Sequence, residues 1–152
     1  MQSLPFKNAG RMNGGGAIAT MALAAACLGG AAAAGDLEIT VEGLRNDAGT
    51  VRVAICSRGT FLTSSCPHTG SFPAPQTAVR IPGVPPGTYA IQAFHDENGN
   101  GEVDRSRFGR PLEGMAFSRD AQMRLGPPTF ADAAFRLDDD TARATLTMRY
   151  FE

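Results

Sequence analysis

The chain has no tryptophan, only two histidines and two tyrosines, and a single lysine at position 7. A zinc centre needs several His or Cys ligands at recognised spacings, and two histidines, His68 beside Pro67 and His95 beside Asp96, do not supply them. Ser118 lies in "AFS", with none of the Gly-x-Ser-x-Gly context of a hydrolase nucleophile. His95 and Asp96 are neighbours on an expected strand, where adjacent side chains point to opposite faces, so they make a poor acid/base pair. No catalytic residue is assigned, and the chain is expected not to be an enzyme. No basic tract or patch is present, which argues against nucleic acid as a partner. No amphipathic helix of useful length can be drawn after Gly35, which excludes helical bundles and α/β folds.

Charge is also missing from one long interval. After Lys7 and Arg11 no charged residue occurs until Asp36, and within the gap "AIATMALAAACL" (residues 17–28) is a largely apolar run. A run of that length suits a signal-peptide core and falls short of the roughly 20 residues that a spanning helix needs. Ala32 and Ala34 provide an Ala-x-Ala cleavage pattern, so residues 1–34 are expected to be a signal peptide and 35–152 a single exported domain in the periplasm or medium. "LAAAC" offers a second route, lipid anchoring at Cys27, although alanine stands where leucine is usual three residues before the cysteine. No transmembrane segment is expected once the leader is cleaved.

All 15 acids lie after the leader, against the 12 arginines that remain there, giving that part a net charge of −3. A domain of this length buries about two-thirds of its unfolded surface and can hold a core without obligatory staples. Two cysteines remain, Cys56 and Cys66, and an isolated pair in an oxidising compartment reads as a disulfide. Closing "CSRGTFLTSSC" would stabilise by about 2.5 to 3 kcal/mol on loop-entropy grounds. A redox or metal pair would call for closer spacing such as Cys-x-x-Cys.

Period-two alternation organises the rest. "DLEITVEGL" places Leu37, Ile39 and Val41 on one face, "NDAG" turns, and "TVRVAIC" places Val51, Val53 and Ile55 on one face, a pattern that predicts an antiparallel hairpin. Residues 57–75, rich in Ser, Thr, Gly and Pro, predict a long loop held by the disulfide, with Phe61 and Phe72 as plugs. Further strands are expected at "TAVRIPGV", at "YAIQAFHD" after the "PPGT" turn, at "MAFS", at "AAFRL" with Phe135 and Leu137 inward, and at "ARATLTMRYF". Asp138 to Asp140 read as a solvated turn. About seven short strands between turn signals predict an all-β fold, an antiparallel β-sandwich.

The fourth of these strands, "YAIQAFHD", runs into "HDENGNGEVD" (residues 95–104). Calcium takes six to eight oxygens, and a loop that alternates donors and turns sharply at a glycine can point several of them inward. Asp96, Asn98 and Asn100 fit the first, third and fifth positions of such a loop, Gly101 the sixth, the Glu102 carbonyl the seventh and Asp104 the ninth. The twelfth position, where a bidentate Glu would complete an EF-hand, is Arg107, so an EF-hand is excluded. Glu113 in "RPLEG" is the acid that could fold back to close the site. A metal-free turn is the competing reading: Asp and Asn cap backbone N–H groups, Gly supplies positive φ, and Arg105, Arg107 or Arg110 pairs the carboxylates.

Through "VPPGTYAIQAFHDENGNGEVD", "GRPLEGMAFS" and "GPPTFADAAF" the chain resembles a bacterial family of small exported proteins known as domain-of-unknown-function family 2141, over about residues 49–150. Asp96, Asn98, Asn100, Gly101, Asp104, Gly109, Pro111, Glu113 and Gly114 match its pattern, whereas Ser106 stands where an Asn is common. The resemblance implies an immunoglobulin-like or prealbumin-like sandwich and no established activity. The expected function is a non-enzymatic binding or envelope accessory module with a calcium-stabilised loop, its partner an unidentified envelope protein. The alternative is a periplasmic carrier of a small polar ligand such as a saccharide, held by the loops around Phe108, Phe117 and Phe130.

Overall fold

A computed structural model describes residues 34–138 and 140–151. Residues 1–33 of the expected leader, Cys27 among them, lie outside the described residues, as does Asp139 of the acidic turn. Among the described residues there are eight strands: β1 (Gly35–Glu42), β2 (Thr50–Cys56), β3 (His68–Pro73), β4 (Ala78–Val84), β5 (Gly87–Asp96), β6 (Met115–Phe117), β7 (Phe135–Leu137) and β8 (Ala142–Thr147). They form two sheets, one ordered β4-β1-β8 and the other β3-β2-β5-β6, with β7 also paired to β5. The fold is therefore nearly all β, as the alternation predicts.

The alternating apolar residues meet in one core. Leu37, Ile39 and Val41 from β1, Val51, Val53 and Ile55 from β2, and Ile91, Leu137 and Leu146 from β5, β7 and β8 all belong to it and are excluded from water. Each such side chain contributes about 1.5 to 3 kcal/mol by its burial. A second, smaller cluster lies on the opposite face of β5, where Ala90 packs with Phe117, Phe130 and Ala133. Thus β5 is covered on both faces near its start, which makes it the rigid element that carries the polar loop at its end.

Three sequence-based expectations are corrected. β1 and β2 do not form a hairpin: β1 pairs antiparallel with β4 and parallel with β8, whereas β2 pairs with β3 and β5. Periodicity shows which face of a strand is buried but not which strand lies beside it, and two inward faces are satisfied equally well across a core. The β1–β8 pairing also means that the sheets are not purely antiparallel. Finally, residues 57–75 are not all loop, because β3 runs through them. Its signal is weak since one inward position is Gly70, where a Cβ would come within 2.4 Å of Ile81.

The expected disulfide is present between Cys56 and Cys66, with the two Cα atoms 4.7 Å apart. It ties the end of β2 to the start of β3 and holds the intervening turn against the sheet. A one-turn helix α1 (Phe130–Ala133) precedes β7, opened by a reciprocal cap between Thr129 and Asp132. Among the described residues no helix is long and apolar enough to cross a membrane.

Candidate functional site

β5 delivers its last two residues into different surroundings, as strand alternation requires. His95, fully buried on the core side, has both ring nitrogens engaged: Nε2 donates to the Ala48 carbonyl at 2.6 Å, and Nδ1 lies 2.7 Å from the Tyr150 hydroxyl. That hydroxyl in turn accepts from the Arg45 backbone N–H. Burial pushes the Tyr150 phenol above its ordinary pKa. His95 is a strut between the 43–49 connection and the chain's end, with neither ring nitrogen turned toward Asp96.

Asp96 is fully buried on the other side. Its Oδ2 accepts from Arg52 Nε at 2.7 Å and from the Gly101 N–H at 3.0 Å, while its Oδ1 is enclosed and has no hydrogen-bond partner. Burial pushes this carboxyl up, but the Arg52 guanidinium and the Gly101 and Gly99 amides together outweigh it and hold the pKa below the usual carboxylate value. The arginine that meets Asp96 is thus Arg52, across the sheet on β2, where Arg105, Arg107 and Arg110 were the expected partners. Arg105 instead donates to the Gly109 carbonyl.

Beyond Asp96 the loop is a ladder of side-chain turns. Asn98 Oδ1 accepts from the Asn100 N–H at 3.0 Å, and Asn100 Oδ1 accepts from the Glu102 N–H at 2.8 Å. Both amide NH₂ groups face Asp104, at 2.5 Å from Asn98 and 3.0 Å from Asn100. Gly99 and Gly101 take positive φ, of 74° and 84°, which lets the chain wrap round the Asp96 carboxylate. The third, fifth and ninth positions therefore meet in side-chain hydrogen bonds, whereas Asp96, the first, is held by Arg52 and the Gly101 amide.

Glu113, the acid considered for closing the loop, is buried beside it. Its carboxylate reaches backbone: Oε1 accepts from the Glu97 N–H at 3.1 Å and Oε2 from the Asp104 N–H at 3.2 Å. It clamps the two ends of the loop together. Glu97, which sequence reasoning passed over, anchors the loop from outside through Arg45 and through Asn46 at 2.6 Å. Arg45 first, and Asn46 with it, hold its pKa below the ordinary glutamate value against the effect of burial. Arg45 also stacks over the Tyr150 ring at 4.5 Å, so the loop, the 43–49 connection and the C-terminal segment form one polar assembly. The signals for Glu97, Arg45 and Arg52 are long-range in sequence, and no local spacing could have announced them.

Among the described residues no three His, Cys, Asp or Glu side chains converge as a metal set. Oxygen donors at the loop would have to include the two asparagines and the Glu102 backbone alongside Asp96 and Asp104. Ser118, the one serine weighed as a nucleophile, is buried and structural: its Oγ accepts from the Ile91 N–H and donates to the Ala133 carbonyl. Phe117 and Phe130 are buried in the smaller cluster, so of the three aromatics expected to hold a ligand only Phe108 is exposed.

No curated protein and no solved structure matches the chain. Residues 39–145, well over half of it, match the model of a family described as an uncharacterized protein conserved in bacteria (DUF2141), and to that family the chain belongs.

Proposed function

We propose that the protein is a non-enzymatic, exported binding or envelope accessory module whose 96–104 loop takes a calcium ion. The unpartnered Oδ1 of Asp96 carries this reading. A fully buried carboxylate oxygen without a donor is costly, and a cation at the head of the loop would satisfy it. Asp96, Asn98, Asn100 and Asp104 would supply side-chain oxygens and Glu102 its carbonyl, with Glu113 closing the site. Ion binding turns the Asn98 and Asn100 amides so that their oxygens, in place of their NH₂ groups, share the centre with Asp104. The commitment of His95 and Ser118 to structural hydrogen bonds supports the non-enzymatic part. The finer fold reading, an immunoglobulin-like or prealbumin-like sandwich, belongs to the same proposal, as does a periplasmic or secreted location with lipid anchoring at Cys27 as its alternative.

Calcium titrated calorimetrically into chelator-stripped protein tests the reading. A dissociation constant of about 10⁻⁴ to 10⁻³ M is expected, lost in Asp96→Ala. Neither heat nor a thermal shift at about 10 mM calcium, well above that range, would remove the metal from the proposal.

A groove of about 400 Å³ over the outer face of β2 and β5, lined in part by Arg52, Thr63, Ser71 and Gln92, favours a second reading, a carrier of a small polar ligand such as a saccharide. A glycan array separates the two: one specific saccharide supports the carrier, and silence across the array counts against it.

A further inference from the structure

Residues 104–112 form a small hydrogen-bonded hairpin beside the clamped loop. The Leu112 N–H donates to the Asp104 carbonyl at 2.9 Å, Arg105 and Pro111 pair, and the Ser106 N–H donates to the Arg110 carbonyl at 2.8 Å. The tip closes with the Gly109 N–H on the Ser106 carbonyl, and the Ser106 hydroxyl accepts from the Phe108 and Arg110 amides. Gly109 takes φ of 79°, as the tip requires. This framework holds Phe108 outward, 89% exposed, with Leu112 also exposed. A large aromatic ring fixed in water by so many hydrogen bonds is not a failure of packing; it is presented.

The hairpin is not alone. Among the described residues the exposed large hydrophobics are Leu62, Phe108, Leu112 and Leu125. Leu62, Val103, Arg105, Met123 and Pro127 line one groove, so the 57–66 turn, the base of the hairpin and the segment bearing Leu125 meet there. Cations accompany the apolar tips: Arg105 and Arg107 in the hairpin, and Arg124 beside Leu125, where Asp120 and Asp132 line the same pocket. Residues 105–112 contain no acid, although the chain after residue 34 carries more acids than arginines. The groove lining holds one acid, Glu102.

We infer that this end of the domain docks on an anionic phospholipid surface, with Phe108 and Leu125 entering the headgroup boundary and the arginines meeting phosphates. Separate protruding tips suit a deformable bilayer surface better than a protein partner, which calls for a continuous, complementary face. Guanidinium groups match phosphate geometry, and anionic lipid attracts cations close to the surface. The inference names the partner of the binding module proposed above. It rests on that reading for the module's exposure to a membrane and is independent of the calcium ion, whose part would be to stiffen Asp104 at the hairpin's base.

Co-sedimentation of the purified protein with phosphatidylglycerol-containing and with purely phosphatidylcholine vesicles, with calcium and with chelator, tests it. Binding to the anionic vesicles alone is expected, weakening as salt rises. Phe108→Ser should lower the partition coefficient about tenfold, and Arg107→Gln severalfold, because each removes one anchoring contact. Arg143→Gln, on the outer face of β8, should bind like the parent. Phe108 is too exposed for its loss to unfold the domain, and an unchanged Tm would confirm that. Anionic binding that persists in chelator leaves the inference standing while detaching it from calcium. Equal binding to both vesicle types, no binding to either, or equal binding by parent and Phe108→Ser would overturn it; a tip that contacts protein gives the second of these results.

Discussion

Arg52 on β2 and Asp96 at the end of β5 are joined by a 2.7 Å contact from Nε to Oδ2, with the Asp96 side chain fully buried and the Arg52 side chain 42% exposed. The pair lies between β2, a strand of the core, and the first residue of the polar loop. Removing the cation leaves a buried carboxylate with the Gly101 and Gly99 amides alone for compensation. Arg52→Met is expected to lower stability by about 1 to 3 kcal/mol, solvent at the exposed guanidinium moderating the loss. Urea denaturation at neutral pH measures it, and an unchanged midpoint would show that the pair contributes nothing net.

Acid should unfold the domain through the same residues. The folded-state pKa values of Asp96 and Glu97 both lie below their ordinary values. Carboxylates depressed in this way contribute stability that is present above their unfolded pKa, about 4, and lost as pH falls through the folded value. Stability is therefore expected to be level above about pH 5 and to fall below about pH 4, with a shallower fall in Arg45→Gln because Glu97 loses its main partner. Urea midpoints across that range give the curve, and a rise in stability on acidification would contradict the assignment.

How much of this was legible depended on whether the signal was local. Leu37, Ile39 and Val41 announce a half-buried strand because period two is written into consecutive residues, and Asp96, Asn98, Asn100 and Gly101 announce a wrapped loop for the same reason. Cys56 and Cys66 were paired by elimination. The partners of β1, by contrast, are β4 and β8, and neither is encoded in β1 itself. Arg52, Arg45 and Glu97 were missed because an arginine on a strand looks solvated until the fold brings an acid to it. Glu113 was found by its sequence proximity, but its contacts are to two backbone amides, which a search for ligands could not foresee.

Gly49 is a further position that only the fold explains. It takes φ of 68°, and a Cβ there would lie 2.0 Å from the Asp96 carbonyl oxygen and 2.8 Å from the Glu97 Cα. Those are backbone atoms at the root of the loop and cannot swing aside. Gly49→Ala is expected to cost about 3 kcal/mol or more, combining left-handed strain with overpacking. Gly59→Ala, where the added methyl would meet nothing, is the matched control, and equal Tm values for the two variants would refute the close approach.

Glu113 distinguishes a clamp from a bystander. Each of its oxygens holds one backbone N–H, those of Glu97 and Asp104, so it joins the beginning of the loop to its end without an ion. Glu113→Gln keeps the shape but replaces one acceptor with a donor, and one of those amides is left facing an NH₂ group. A loss of about 1 to 3 kcal/mol is expected in chelator, the cost of an unsatisfied buried amide. Calcium affinity should weaken as well, because Asp96 and Asp104 are no longer held in register. Denaturation in chelator and calcium titration of the same variant read the two effects separately. Full stability in chelator would remove Glu113 from its role as clamp, whatever the titration shows.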